Sequence, residues 1–142
     1  MPTDPSQGPT GGLTPHITIR DRRAAEAIDF YKAAFAAEEQ ASAPTEDGRL
    51  MHAYLHINGG GLILNDDFPE FHQGSYNAVP GGFGLHLQVA DAAAWFDRAV
   101  AAGATVRMAL QDMFWGDRYG QLIDPFGIQW TIGQTLGTES KA

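Results

Sequence analysis

Residues 115–132 read WGDRYGQLIDPFGIQWTI, and this stretch decides how the end of the chain folds. Leu122 and Ile123 lead into Asp124-Pro125-Phe126-Gly127, and the chain returns through a second apolar run from Ile128 to Ile132. Proline fixes φ in such a turn, and glycine supplies a positive φ. The stretch therefore predicts a β-hairpin with a tight turn.

Length and composition set broad limits on the protein. A chain of 142 residues fits one domain with a sizeable core, and the absence of cysteine excludes disulfides and thiol chemistry. The formal net charge of −8 disfavours nucleic acid as a partner and would attract a cationic ligand, although many proteins are this acidic for solubility alone, which is the preferred interpretation. No apolar run reaches the ~20 residues that a membrane span needs. Because residues 1–12 do not read as a signal peptide, we expect a cytoplasmic protein without membrane attachment.

Two halves of the sequence share one pattern. The alternation His16-Ile17-Thr18-Ile19 recurs as His86-Leu87-Gln88-Val89, and in both strands the His lies on the side opposite the apolar residues. An Asp follows each strand, Asp21 in the first half and Asp91 in the second, where its carboxylate would cap a helix. The chain is therefore predicted to contain an internal duplication.

A helical pattern and three more strands follow in each half. Apolar spacing predicts a first helix whose apolar stripe is Ala24, Ala27, Ile28, Tyr31, Ala34 and Phe35. A second predicted helix includes Trp95, Phe96, Ala99 and Val100 and stops at Gly103. A shift of about 68 positions matches Gly59, in the turn Asn58-Gly59-Gly60-Gly61, to Gly127. Each half is therefore β-α-β-β-β. The predicted divisions are a flexible leader at 1–12, module 1 at about 13–66, a connector at 67–82, module 2 at about 83–136 and a flexible tail at 137–142.

The closing hairpin resembles the last hairpin of the vicinal oxygen chelate superfamily, which includes glyoxalase I, bleomycin-resistance proteins and extradiol dioxygenases. Within it, the Trp-Gly-Asp-Arg stretch at 115–118 is similar to the PhnB-like branch. The resemblance implies an α+β fold in which two modules form an eight-stranded curved sheet around a cleft, within one chain or between two, and a homodimer. Since the superfamily contains both enzymes and pure binders, the fold leaves the activity open.

The resemblance also implies where a metal would bind. Metal-using members take one ligand near the start of the first strand and one in the middle of the last strand of each module. These positions are His16 and Ile63 in module 1, and His86 and Thr131 in module 2. Both carboxylates are missing, Ile63 offers no donor atom, and Thr131 offers a weak neutral oxygen. We therefore expect no cofactor, and the alternative is a divalent metal (Zn, Ni, Fe or Mn) on His16 and His86.

A second group of side chains leaves one question open. His52, Tyr54 and His56 alternate along one strand and share a face. A two-residue hairpin turn puts Tyr54 on the side of Ile63, whereas a three-residue turn does not. If the shared face is the concave one, further imidazoles could join His16 at a transition metal. The sequence does not choose between these turns.

Arg118 and Tyr119 enter the last hairpin beside Phe114 and Trp115. A guanidinium next to aromatic rings could orient an anionic or planar ligand. Alternatively, Asp117 pairs with Arg118 while the aromatic rings pack against the helices or a second subunit.

Three smaller expectations concern other side chains. Trp130 alternates with Thr131 and should lie in the core under a helix. Asp66, Asp67 and Glu70 are expected to be solvated. The aromatic residues of the connector region could form a lid, namely Phe68, Phe71, Tyr76 and Phe83.

Two functional hypotheses from different classes remain, beside a purely structural or interaction module. The leading one is a PhnB-like protein that binds a small, largely apolar or aromatic compound without metal, using His16, Ile63, His86, Arg118, Tyr119 and Thr131. Bleomycin-resistance proteins are similar in being acidic and lacking a metal, and they sequester a cationic drug. The alternative is a divalent-metal lyase, isomerase or dioxygenase of glyoxalase type that uses His16, His86 and a further ligand such as His56.

Overall fold

The structure, a computed structural model, describes residues 8–71 and 80–137. The chain divides into two compact units, Met1–Lys32 with Ala36–Ala78, and Ala33–Phe35 with Val79–Ala142. Much of the predicted leader and tail, together with Tyr76 of the proposed lid, lies outside the described residues. The elements in order are β1 (His16–Ile19), α1 (Ala24–Phe35), β2 (Glu38–Pro44), β3 (Leu50–Ile57), β4 (Gly60–Asp66), a 3-10 helix (Pro69–Phe71), β5 (Leu85–Gln88), α2 (Ala92–Ala102), β6 (Thr105–Asp112), β7 (Asp117–Ile123) and β8 (Gln129–Thr135).

Within the described residues, eight strands form two four-stranded mixed sheets. The strand order is β1-β4-β3-β2 in the first unit and β5-β8-β7-β6 in the second. In each sheet the first strand pairs in parallel with the last strand of its half, and the other pairs are antiparallel. The predicted pair of β-α-β-β-β modules and the α+β class are confirmed. The hydrogen bonding gives two sheets of four strands.

The closing hairpin folds around Asp124. Gly127 has φ 90°, and its N–H donates to the carbonyl of Asp124 at 3.1 Å. The Asp124 carboxylate accepts the N–H groups of Phe126 and Ile128 and the indole N–H of Trp130, each at 2.9 Å. The Trp130 ring is buried, with its centroid 4.5 Å from that of Phe35 at the end of α1. The predicted turn and the core position of Trp130 are confirmed.

The first hairpin answers the question of register. Asn58 and Gly59 form a two-residue turn with φ values of 51° and 81°, as type I′ hairpin turns require. Tyr54 therefore pairs directly with Ile63, and His56 pairs with Gly61. His52, Tyr54 and His56 lie on the same face of the sheet as Ile63.

The two helices begin differently, although both were predicted to start at an Asp. Asp91 caps α2, since its carboxylate accepts the N–H of Ala94 at 3.1 Å. Asp21 does not cap α1. It adopts φ 62° in a longer connection, and the helix begins only at Ala24.

Asp66 caps α1 instead, from the end of β4. It accepts the N–H of Ala24 at 2.9 Å and that of Leu50 at 2.8 Å, and it is 2% exposed. The expectation that Asp66 is solvated was wrong, because both of its oxygens satisfy backbone donors. The residue that the 68-position shift matches to it, Gln134, accepts the N–H of Ala92 at 2.9 Å.

The helices bury the expected apolar stripes with one difference. The stripe of α1 is buried throughout, at Ala24, Ala27, Ile28, Tyr31, Ala34 and Phe35. In α2 the buried residues are Ala92, Phe96 and Ala99, while Val100 is exposed. A Cβ on Gly120 of β7 would lie 2.7 Å from the Phe96 ring, so this glycine permits α2 to approach the sheet. No helix within the described ranges combines the length and apolarity needed to span a bilayer.

Candidate functional site

In the first unit, His16 lies on β1, an outer strand of the four-stranded sheet. In the parallel register of β1 and β4, His16 pairs with Ile63 and Thr18 pairs with Asn65. The alternation of the strand places these side chains opposite Ile17 and Ile19, which are buried. This shared surface is here called the His16 face. The predicted orientation of His16 is confirmed.

Hydrogen bonds connect the polar side chains of the His16 face. The hydroxyl of Thr18 donates to Oδ1 of Asn65 at 3.1 Å, and Nδ2 of Asn65 lies 3.1 Å from Nε2 of His16. Because Nδ2 can only donate, Nε2 of His16 accepts this bond and the neutral ring carries its proton on Nδ1. The ring atom that most often binds a metal is thus occupied by an amide.

Tyr54 continues the His16 face onto β3. Its ring packs over Gly61, where a Cβ would come within 2.6 Å of the tyrosine hydroxyl. The ring of His56 stands edge-on to Tyr54, with centroids 5.2 Å apart. Tyr54 is buried beside Ile63, whereas His56 is exposed further along β3. The centre of this face is therefore aromatic and apolar.

A cavity of about 270 Å³ opens at one end of the His16 face. Polar lining comes from His16, Thr18 and Asn65, and apolar lining from Met51, Phe68 and Phe71. Asp66, the residue that caps α1, also contributes to the wall.

The second unit holds its histidine through different partners. His86 pairs with Thr131 in the parallel register of β5 and β8, and its Nδ1 lies 2.7 Å from the Thr131 hydroxyl. Its Nε2 lies 2.7 Å from Oε1 of Gln88. Nε2 of Gln88 donates to the hydroxyl of Thr135 at 3.1 Å. Since Gln88 offers a carbonyl oxygen, His86 carries its proton on Nε2, and Nδ1 accepts from Thr131.

Gly133 makes this arrangement possible. A Cβ at Gly133 would lie 2.6 Å from Oε1 of Gln88 and 2.9 Å from Cε1 of His86. The 68-position shift matches Gly133 to Asn65. In the first half, the amide of Asn65 on β4 donates to His16. In the second half, the amide of Gln88 on β5 accepts from His86. Sequence reasoning missed both amides, although each amide follows the alternation that places the His.

Tyr119 forms an aromatic wall beside His86. It pairs with Gly133 and therefore shares the face of His86, and the two rings stack with centroids 6.2 Å apart. Trp115 stands edge-on to Tyr119 at 5.5 Å, and Gln121 donates to the Tyr119 hydroxyl at 3.2 Å. These residues, with Thr131, are here called the His86 face.

The register separates Arg118 from Tyr119. Neighbouring residues of β7 point to opposite sides of the sheet, so Arg118 does not share the His86 face. Its Nε donates to Asp112 at 2.9 Å, and this hydrogen bond raises the pKa of Arg118 above its ordinary value. The sequence pointed to Asp117 as its partner, and the observed partner is Asp112.

The side chains grouped around the two imidazoles bear on whether a metal could bind there. Within residues 8–71 and 80–137, no three His, Cys, Asp or Glu side chains are grouped so that they could hold a metal ion. Ile63 stands beside His16 and Thr131 beside His86, at the positions to which the resemblance assigns metal-binding carboxylates.

The family model of the glyoxalase/bleomycin resistance protein/dioxygenase superfamily matches residues 14–132. The chain belongs to this superfamily. This chain is 49% identical to protein Mb0911c of Mycobacterium bovis over 129 residues, which cover 87% of this chain and 83% of that protein.

Two solved structures are similar to this chain in fold. The At5g48480 gene product of Arabidopsis thaliana has 25% identity and a TM-score of 0.68, covering 87% of this chain and 98% of its own. The PhnB protein of Bacillus cereus has 18% identity and a TM-score of 0.69, covering 88% of this chain and 100% of its own. These likenesses show architecture, and the activity has to be argued from the side chains.

Proposed function

We propose that this superfamily member has two binding surfaces, the His16 face and the His86 face, and that each binds a small, largely apolar or aromatic compound without a catalytic metal. The observation that carries the proposal is the state of the imidazoles, because Nε2 of each ring is engaged by a neutral amide at 3.1 Å and 2.7 Å. A metal needs the free lone pair of a neutral imidazole. Binding through Nε2 would require both amides to leave and His86 to change tautomer, and binding through Nδ1 of His86 would displace the Thr131 hydroxyl.

The donor set also fits a divalent metal poorly. Ile63 offers hydrocarbon, and the Thr131 hydroxyl donates to His86. Two imidazoles and an alcohol neither neutralise a divalent cation nor complete its coordination shell. In the proposed function the imidazoles hold hydrogen bonds at the edge of a ligand.

The other side chains of the two faces indicate the kind of ligand. Tyr54 and Ile63 make the centre of the His16 face apolar, and Trp115 and Tyr119 give the His86 face an aromatic wall. Aromatic side chains bind flat apolar molecules by stacking and area burial. The net charge of −8 favours neutral or cationic ligands over anions.

Two measurements test the proposal on protein without a polyhistidine tag. Elemental analysis after dialysis against Zn, Ni, Fe and Mn should find far less than one metal per chain, in the protein and in the His16→Ala/His86→Ala double variant alike. A fluorescence titration with the neutral probe N-phenyl-1-naphthylamine should show saturable binding that weakens in a Tyr119→Leu variant. Stoichiometric metal lost in the double variant, or no saturable probe binding, would overturn the proposal.

The second candidate is a divalent-metal lyase, isomerase or dioxygenase. One observation favours it: the hairpin register puts His52 and His56 on the His16 face, which a further imidazole ligand requires. Under this candidate, stoichiometric metal would be found and would fall in a His56→Ala variant. The same elemental analysis therefore separates the two candidates.

We also propose a PhnB-like homodimer, on the basis of the Trp-Gly-Asp-Arg stretch and the exposed apolar surface next to it. Phe114 is 94% exposed, and Leu136 approaches the same loop because its N–H donates to Gly116 at 2.9 Å. Exposed aromatic residues of this kind are typical of subunit contacts. Light scattering should give twice the monomer mass and a shift towards monomer in Phe114→Ser. A monomeric wild-type protein would contradict this part.

A further inference from the structure

We infer that the cavity at the end of the His16 face takes a neutral, planar aromatic compound of one or two rings whose edge carries a carbonyl next to an N–H. This inference deepens the proposed function and rests on it, since it specifies the ligand class and the pocket in the first unit. The cavity is about 270 Å³, just below the ~300–1,000 Å³ usual for drug-sized ligands. Its size therefore suits a compact ring system.

The polar side of the cavity has a defined hydrogen-bond direction. Thr18 donates to Asn65, and Asn65 donates to His16. This chain fixes Oδ1 of Asn65 as an acceptor of the Thr18 hydroxyl and leaves the second N–H of its amide to donate to a ligand carbonyl. The Thr18 oxygen keeps a lone pair that can accept a ligand N–H. An amide edge matches a donor and an acceptor placed side by side.

The apolar side of the cavity is a stacked aromatic pair. Phe68 and Phe71 lie with centroids 5.9 Å apart and planes 20° from parallel. Phe68 is buried, whereas Phe71 is 70% exposed and Met51 is 43% exposed. A flat ring that enters the cavity would cover these exposed apolar groups and add a third layer to the stack.

Charge excludes anions from this pocket. Arg49 lies 4.0 Å from the Phe68 ring centroid, and its guanidinium pairs with Asp47 and Glu70 at 2.8 Å and 2.6 Å. The cation is therefore already matched by two carboxylates. Asp66 adds a carboxylate to the wall, and both of its oxygens accept backbone N–H groups. One guanidinium and three carboxylates leave the surroundings of the cavity net negative, which disfavours an anionic ligand.

The experiment compares two matched probes, 2-quinolinone and N-methyl-2-quinolinone, which differ in the N–H of the amide edge. Affinities are measured by fluorescence titration of the full-length protein. The wild-type protein should bind 2-quinolinone about tenfold more tightly than the methylated probe, since one hydrogen bond in a partly buried site is worth about that factor. In Thr18→Val this preference should disappear, because the ligand N–H loses its acceptor, whereas Asn65→Leu and Phe71→Ala should each weaken the binding of both probes several-fold.

Val100→Ala is the control, because Val100 is an exposed apolar residue on α2 outside the cavity. It should bind both probes as the wild type does, and far-UV circular dichroism should show that every variant is folded. Equal affinity for both probes in the wild type, a preference that persists in Thr18→Val, or no effect of Asn65→Leu and Phe71→Ala overturns the inference. If N-phenyl-1-naphthylamine still binds in that case, the proposed function stands and only the pocket assignment fails.

Discussion

Gly120 and Gly133 lie on opposite faces of the second sheet, and at each position a Cβ would collide with a neighbouring side chain. A Cβ at Gly120 would meet the Phe96 ring at 2.7 Å and the backbone oxygen of Met108 at 3.1 Å, inside the core. A Cβ at Gly133 would meet the flexible ends of Gln88 and His86. We expect Gly120→Ala to destabilise the protein by about 1–3 kcal/mol through overpacking. Gly133→Ala should cost less and displace the imidazole.

Urea denaturation measures the first effect, and the ¹⁵N chemical shifts of the His86 ring measure the second. The tautomer with the proton on Nε2 depends on the bond to Gln88. Gly133→Ala should therefore shift these resonances while leaving the midpoint of unfolding nearly unchanged. A larger loss of stability in Gly133→Ala than in Gly120→Ala would contradict the assignment of the two faces.

Asp124 is the residue on which the closing hairpin depends most. Its buried carboxylate accepts three N–H groups, from Phe126, Ile128 and Trp130. Asp124→Asn keeps the volume but replaces one acceptor oxygen with a donor, which leaves at least one buried N–H without a partner. We expect a loss of about 3 kcal/mol in the free energy of unfolding. Denaturation followed by Trp fluorescence checks this, with the exposed Asp97→Asn on α2 as a control expected to change little.

At the scale of elements, the two helices provide a comparison of capping. The start of α1 relies on Asp66, which also accepts the N–H of Leu50. The start of α2 has two caps, Gln134 and Asp91. Asp66→Ala should therefore cost about 2–3 kcal/mol and Gln134→Ala about 1 kcal/mol. Thermal or urea unfolding measures both losses. Equal losses for Asp66→Ala and Gln134→Ala would contradict the view that α1 depends on a single cap.

The loop before β3 and the 3-10 helix after β4 are joined by an ion pair that responds to pH. Hydrogen bonding from Arg49 lowers the pKa of Glu70 below its ordinary value of 4.5. The unfolded state therefore binds the proton more readily, and the stabilisation is present above about pH 4.5 and lost as pH falls through the folded pKa. The difference in stability between wild type and Glu70→Gln should shrink between about pH 7 and about pH 3. Glu46→Gln, in the same loop, serves as control, and a constant difference across this range would count against the pair.

At the scale of the whole molecule, short-range patterns were predictable and long-range partners were not. The turn at Asp124-Pro125-Phe126-Gly127, the paired modules and the core position of Trp130 follow from local spacing. The cap on α1 does not, because Asp66 and Ala24 are distant in sequence and only the parallel pairing of β1 with β4 brings them together. The amides of Asn65 and Gln88 also escaped prediction, since their roles depend on which strand has room for a side chain beside each imidazole.

The net charge of −8 acts on any ligand before contact and gives a prediction for the whole protein. N-phenyl-1-naphthylamine and 8-anilino-1-naphthalenesulfonate share their ring system, but the second carries a sulfonate. An anionic probe is repelled by the acidic surface, so we expect the sulfonate to weaken binding at low ionic strength. Salt screens this repulsion over a Debye length of about 10 Å at 0.1 M, so the penalty should shrink as salt rises while the affinity of the neutral probe stays nearly constant. Fluorescence titrations of both probes from about 0.01 M to about 0.5 M salt measure this trend. Tighter binding of 8-anilino-1-naphthalenesulfonate at low salt would contradict it and would point to a cationic site that outweighs the net charge.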